Sequence, residues 1–231
     1  NLTSGRYINS DLMKMVFEVY ASSQENRGKY NLAVTNSAAC LTNEFYTRKI
    51  KNKEVRRCVY VAGPYGAGKS FFIQSLFLAG AIPENTIVYE GSITAPAFGK
   101  KVGLAIENGI EPEIIILNPT LELSLTNIRR RVIETGRDVT KSEVVEKYAD
   151  MYLNMEKLFE YLNCSFPELQ DRSHPVSFQI YNKSSNVPED MSVSYDLNDL
   201  QHGTRQEISA KYDSIVRQMR GNTLNVGERN F

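Results

Sequence analysis

Residues 63–70 read Gly63-Pro64-Tyr65-Gly66-Ala67-Gly68-Lys69-Ser70, the full G-x-x-x-x-G-K-S/T spacing of a phosphate-binding loop. Such a loop needs a buried strand running into it and a helix running out of it, and both are legible. Arg57-Cys58-Val59-Tyr60-Val61-Ala62 is a short β-branched and aromatic run that reads as a buried strand. Phe71 to Leu78 is apolar nearly all round, as a buried first helix would be. The glycines allow backbone N–H groups to turn inward around a phosphate, and the helix N-terminus adds its positive end. In that frame Lys69 reaches the β/γ-phosphates, and Ser70 is the candidate magnesium ligand.

The rest of the chain supplies alternating elements. Strands are expected at 86–89, 113–117 and 176–181, beside the one at 57–62. Helices are expected from Ser10 to about Tyr20, from Ser37 to Arg48, over 97–107, and from the Thr120 cap to about Glu134. Thr140-Lys141-Ser142-Glu143 is a capping box. Behind it Val144, Val145, Tyr148, Met151, Tyr152, Met155, Leu158, Phe159 and Leu162 recur at helical spacing, which marks core packing. A final helix is expected from Gln206 to Arg220. Alternation of this kind predicts an α/β fold: a P-loop NTPase- or kinase-like, mostly parallel sheet with helices on both faces and helical N- and C-terminal additions. Residues 1–54 read as a helical extension, 55–185 as the core, and 186–231 as a C-terminal loop and helix.

Charge excludes some partners. Lys+Arg and Asp+Glu both number 27, so a nucleic-acid footprint is not expected. No apolar run approaches the roughly 18 residues of a membrane span. Three scattered cysteines without metal spacing suit a reducing compartment, hence a cytoplasmic chain, with Cys58 read as core. The chain begins at Asn1 rather than Met, so a targeting segment could have been trimmed.

The order of elements around residues 55–185 resembles the zeta toxin group of P-loop kinases. The resemblance is carried by Tyr89-Glu90-Gly91-Ser92 and by Asn118-Pro119-Thr120-Leu121-Glu122-Leu123. It continues through Arg129-Arg130-Arg131-Val132-Ile133-Glu134-Thr135-Gly136-Arg137-Asp138-Val139-Thr140, and ends at Tyr181-Asn182-Lys183-Ser184. It implies transfer of phosphate from ATP (or GTP), with Mg2+, to a hydroxyl of a small molecule. A nucleotide sugar such as UDP-N-acetylglucosamine is the first candidate, with nicotinamide dinucleotides and antibiotics as alternatives. A nucleotide-binding interaction protein or pseudokinase is the alternative from another class. The resemblance also implies an antitoxin-like protein partner and action in a cytosol. Arg131 and Arg137 would be lid arginines, Glu90 and Ser92 substrate contacts, and Lys147 a weaker candidate for the same site. A charge at a strand end also suits a magnesium-organising carboxylate, so Glu90 has two readings.

One departure stands out. Zeta-like kinases place a further strand between the P-loop helix and the Glu-Gly-Thr element, and that strand ends in the aspartate that acts as base. Here about 18 residues separate Ser70 from Val88, with no Asp among them. Either a segment is missing near residues 80–85, or the protein lacks it. The base therefore has no candidate in sequence; His174 and His202 are isolated in polar stretches.

Overall fold

The computed structural model of the protein describes residues 3–93, 97–136, 139–167, 176–187, 190–200 and 203–227. Its centre is a six-stranded sheet. The strands are β1 (Tyr7–Ile8), β2 (Arg57–Ala62), β3 (Thr86–Glu90), β4 (Glu111–Pro119), β5 (Ser177–Lys183) and β6 (Met191–Ser194). They lie in the order β1-β3-β2-β4-β5-β6, and every pairing is parallel except β5 with β6.

The central strands are apolar on both faces, as a parallel sheet between helices requires. Cys58, Tyr60 and Ala62 point to one core, and Val59 and Val61 to the other. The first core is covered by α3 (Gln24–Ile50), α5 (Ala97–Glu107) and α8 (Met151–Ser165); the second by α4 (Lys69–Leu78). A third cluster joins α6 (Leu121–Thr135), α7 (Lys141–Ala149) and α9 (Arg205–Gly227) through Leu121, Leu125, Val144, Tyr148 and Ile208. Cys58 is wholly inside, and burial pushes its thiol up to about 12, so it is inert core. Among the described residues no helix is long and apolar enough to cross a membrane.

Several boundaries differ from the sequence reading. The helix expected over 10–20 is two short ones, α1 (Ser10–Lys14) and α2 (Glu18–Ala21), parted by an extended Phe17. Its N-cap is Asn9, whose side-chain oxygen accepts from the Asp11 N–H at 2.5 Å. The second helix starts thirteen residues early, capped by Ser23; it is mostly solvent-facing before Ala38, so its first half carries little apolar signal. The long amphipathic stripe after Thr140 divides at Asp150 into α7 and α8, while its capping box forms as read. β5 continues two residues beyond Tyr181, and the short, half-exposed β6 gave no pattern to read.

The link between α4 and β3 closes tightly. The Ala81 N–H donates to Leu76 O at 2.9 Å, and the Arg56 N–H to Asn85 O at 2.9 Å. β3 then pairs directly with the P-loop strand, and no strand intervenes between α4 and β3. The sheet position beyond β3 is taken instead by Tyr7 and Ile8, in register with Val88 and Tyr89. The Arg6 guanidinium fixes this edge by donating to the carbonyls of Ile82 and Pro83 at 3.1 and 2.6 Å.

Ile8 is fully buried in the first core and carries that edge strand. Ile8→Ala is expected to destabilise the fold by about 2–5 kcal/mol, read as a lower urea midpoint at unchanged slope.

Candidate functional site

The loop from Gly63 to Ser70 lies between β2 and α4, at the C-terminal edge of the sheet where doubly wound folds bind ligands. Its shape is fixed by close backbone approach. At Gly66 φ is +75°, and a Cβ there would lie 2.4 Å from the Ser124 carbonyl oxygen of α6, so only glycine fits. Asn127 of the same helix donates from Nδ2 to Gly66 O at 2.9 Å. Thus α6 holds the loop from one side while β2 and α4 hold its ends.

Lys69 is folded back onto the loop, its Nζ donating to Gly63 O and Pro64 O at 3.0 Å each. Burial lowers its pKa, and the nearby Glu90 carboxylate works the other way. Ser70 Oγ donates to Glu90, 3.0 and 3.2 Å from its two carboxylate oxygens. Glu90 Oε2 also accepts from Tyr7 OH and from Asn9 Nδ2. The end of β3, the start of the P-loop helix and the N-terminal edge strand therefore meet on one carboxylate. The Tyr7 phenol is raised well above its ordinary value by burial first and by the Glu90 charge second.

Two cavities open on either side of this junction. One, of about 450 Å³, is lined by Gly66 to Phe71 together with Glu90, Asn127, Arg131, Lys183 and Asn186. The other, of about 280 Å³, is strongly polar and includes Asp11, Lys14, Asn31, Tyr65, Ser92 and Glu143. Lys69, Glu90 and Arg131 line both. A larger and shallower groove, about 630 Å³, runs between α7 and α9. It lies away from the loop, and its charges Lys141–Asp213 and Arg205–Asp150 are paired at 2.7 and 2.6 Å.

Of the residues singled out in sequence, Lys69, Ser70, Glu90, Ser92 and Arg131 converge at these two cavities. Gly66, Ala67 and Gly68 line the first, and Tyr65 the second. Gly63 and Pro64 stand with Lys147 in a small crevice beside Ser92, outside both; Lys147 pairs with Glu146 at 3.8 Å. Arg137, His174 and His202 lie outside the described residues. Arg129 and Arg130 are exposed, and Arg130 pairs with Glu134 at 3.9 Å.

Sequence reasoning missed the N-terminal contribution. Tyr7, Asn9, Asp11 and Lys14 reach the site because β1 docks on β3, a pairing across some eighty residues that leaves no local pattern. Lys183 and Asn186 were also missed; carrying the last parallel strand two residues further would have put Lys183 at the ligand edge.

Ser70 and Glu90 fit a magnesium ion. A hydroxyl and a carboxylate 3.0 Å apart at a phosphate cradle are the sparse protein set that Mg2+ uses beside phosphate oxygens and water. Among the described residues no group of three or more His, Cys, Asp or Glu could hold a metal by itself. Ion binding would therefore depend on the nucleotide.

If the loop binds nucleotide, MgATP raises the melting temperature by linkage, about 2.7 kcal/mol of stabilisation at a hundredfold excess over Kd. Lys69→Ala is expected to remove most of that shift and leave the ligand-free melting temperature near the parent value, because the lysine packs against carbonyls rather than core.

No family model matches the chain, and no curated protein matches it. Among solved structures it is similar to a chain of the PezAT chromosomal toxin–antitoxin system of Streptococcus pneumoniae. The identity is 13%, over 80% of this chain and 95% of that one, with a TM-score of 0.35.

Proposed function

We propose that the chain is an ATP-dependent phosphotransferase that phosphorylates a hydroxyl of a small molecule, in the manner of zeta toxins. The observation that carries this reading is the pair of cavities sharing Lys69, Glu90 and Arg131. The first has a P-loop floor and room for a phosphate chain. The second is polar and separate, and the γ-phosphoryl group would stand where they join. A simple nucleotide switch or hydrolase needs no second cavity of that kind.

Phosphoryl transfer needs positive charge around the transferred group and a proton acceptor for the attacking hydroxyl. Lys69 and Arg131 supply the charge. Magnesium, held by Ser70 with Glu90 beside it, would neutralise the β/γ oxygens when bound. Three carboxylates near the cavities are committed elsewhere. Glu90 is taken up by Ser70, Tyr7 and Asn9. Glu143 closes its capping box, accepting from the Thr140 N–H and Oγ1 at 2.8 and 2.7 Å. Glu134 is exposed and paired with Arg130.

Asp11 lies on the acceptor side of the junction, its Oδ1 3.6 Å from Lys14 Nζ and its Oδ2 3.9 Å from Arg131. We assign it as base. It takes the hydroxyl proton as the new O–P bond forms and the bond from γ-phosphorus to the bridging oxygen breaks, leaving ADP. The base absent between the P-loop helix and β3 would thus come from the N-terminal segment.

Lys14 and Arg131 beside Asn31, Thr35 and Ser92 suit an acceptor with hydroxyls and an anionic part, as in a nucleotide sugar. The zeta-toxin resemblance adds a cytosolic setting and an inhibitory antitoxin-like partner. Leu12, Val16 and Val19, exposed on α1, α2 and the link between them, with Leu32 of α3 at the cavity, suit such a partner.

The test is a panel of UDP-sugars, nicotinamide dinucleotides and aminoglycoside or phenicol antibiotics, incubated with MgATP and read by mass for one added phosphate. Asp11→Asn should lower transfer by about 10²–10⁴-fold with ATP affinity unchanged, and should abolish the acid limb of the pH–rate profile. Arg131→Ala should lower kcat by about 10²–10³-fold. If no acceptor gains phosphate while MgATP still binds, the nucleotide-binding interaction protein replaces the kinase.

A further inference from the structure

The nucleotide-side cavity contains a cation that the fold itself leaves unused. Lys183 is the last residue of β5; it is only 7% exposed and lines the cavity floored by the P-loop. Its ammonium has no ion pair or hydrogen bond among the described residues. The other buried lysines differ. Lys14 donates to Asn31 Oδ1 at 2.8 Å, and Lys69 to two loop carbonyls. The Lys183 stem is buried while its ammonium opens on the cavity, so the charge is held ready for an anion that arrives with the ligand.

The position says which anion. A Cβ built on Gly68 would lie 3.4 Å from Lys183 Nζ, so the ammonium stands over the turn that leads into Lys69 and Ser70. That turn is where the phosphate chain of a P-loop ligand rests. We propose that Lys183 is a phosphate-binding residue, its ammonium contacting the phosphate chain above Gly68–Ser70 from the β5 side. This rests on the nucleotide-binding reading given above. Gly68 itself is set by its φ of +80°, the left-handed turn that brings the ammonium and the loop backbone together. Burial lowers the Lys183 pKa in the ligand-free site, in keeping with a cation whose counter-charge is elsewhere. A lysine suits the task, acting as a compact point charge rather than a planar fork.

The test uses two ligands, MgATP and inorganic tripolyphosphate, titrated calorimetrically into the parent, Lys183→Met and Lys183→Arg. Lys183→Met should weaken both ligands by about 10–100-fold, the range of a charge-assisted hydrogen bond, and Lys183→Arg should restore most of the loss. Its ligand-free melting temperature should equal or exceed the parent's, because an apolar chain replaces an unpaired ammonium. The assignment is overturned if tripolyphosphate affinity is unchanged while ATP affinity falls, which would move the contact to the nucleoside. It is equally overturned if both affinities are unchanged, or if the ligand-free protein is destabilised in parallel. A parent protein that binds neither ligand overturns the nucleotide reading and this assignment with it.

Discussion

The Glu90 carboxylate is where three parts of the chain become one site. Ser70 brings the P-loop helix to it, Tyr7 and Asn9 bring the N-terminal edge strand, and its own strand is hydrogen-bonded to the P-loop strand. Each donor satisfies a lone pair of an anion that would otherwise be held near the core without compensation. Because the same group faces both cavities, its orientation fixes how the nucleotide side and the acceptor side meet. A carboxylate so heavily bonded is well suited to orient a metal or a water and poorly suited to accept a proton. That division of labour is what the proposal of Asp11 as base rests on.

Electrostatics at the junction are balanced on one side and not on the other. On the acceptor side, Lys14 and Arg131 stand near Asp11, and the neutral amides and hydroxyls of Asn31 and Thr35 fill in. On the nucleotide side, Lys183 faces the loop without an anion. A site of this kind gains most from a ligand whose charge is concentrated at one end. A chain of no net charge thus carries a cavity lined by four cations, Lys69, Arg130, Arg131 and Lys183, against two carboxylates, Glu90 and Glu134.

What could be read from the sequence follows the range of each interaction. The loop, its strand and its helix form from neighbours, and all three were legible from four fixed positions and two apolar runs. Thr120 and Thr140 cap helices through residues three positions away, so those starts were legible as well. The first half of α3 was not, because a helix facing mostly water has no apolar period to detect. The role of Asn9 and Asp11 was invisible for another reason. Locally they are a cap and a first-turn acid, and only a two-residue strand pairing across the chain brings Asn9 to Glu90 and Asp11 to Arg131. Lys183 sat in a stretch already singled out, but the strand was ended too soon to place it at the ligand edge.

The edge pairing of Tyr7 with Val88 and Ile8 with Tyr89 also sets an order of assembly. The P-loop strand and β3 are joined through one helix and a short link, so that pair closes over a loop of modest length. The edge pair must wait for a segment made first to find a partner made some eighty residues later. Contacts of such sequence separation form slowly, because their loop entropy is lost before they gain anything in return. Until the edge pair forms, β3 is an open parallel edge and Glu90 lacks its Tyr7 and Asn9 donors. The junction at Glu90 is therefore complete only once the first strand of the chain has docked.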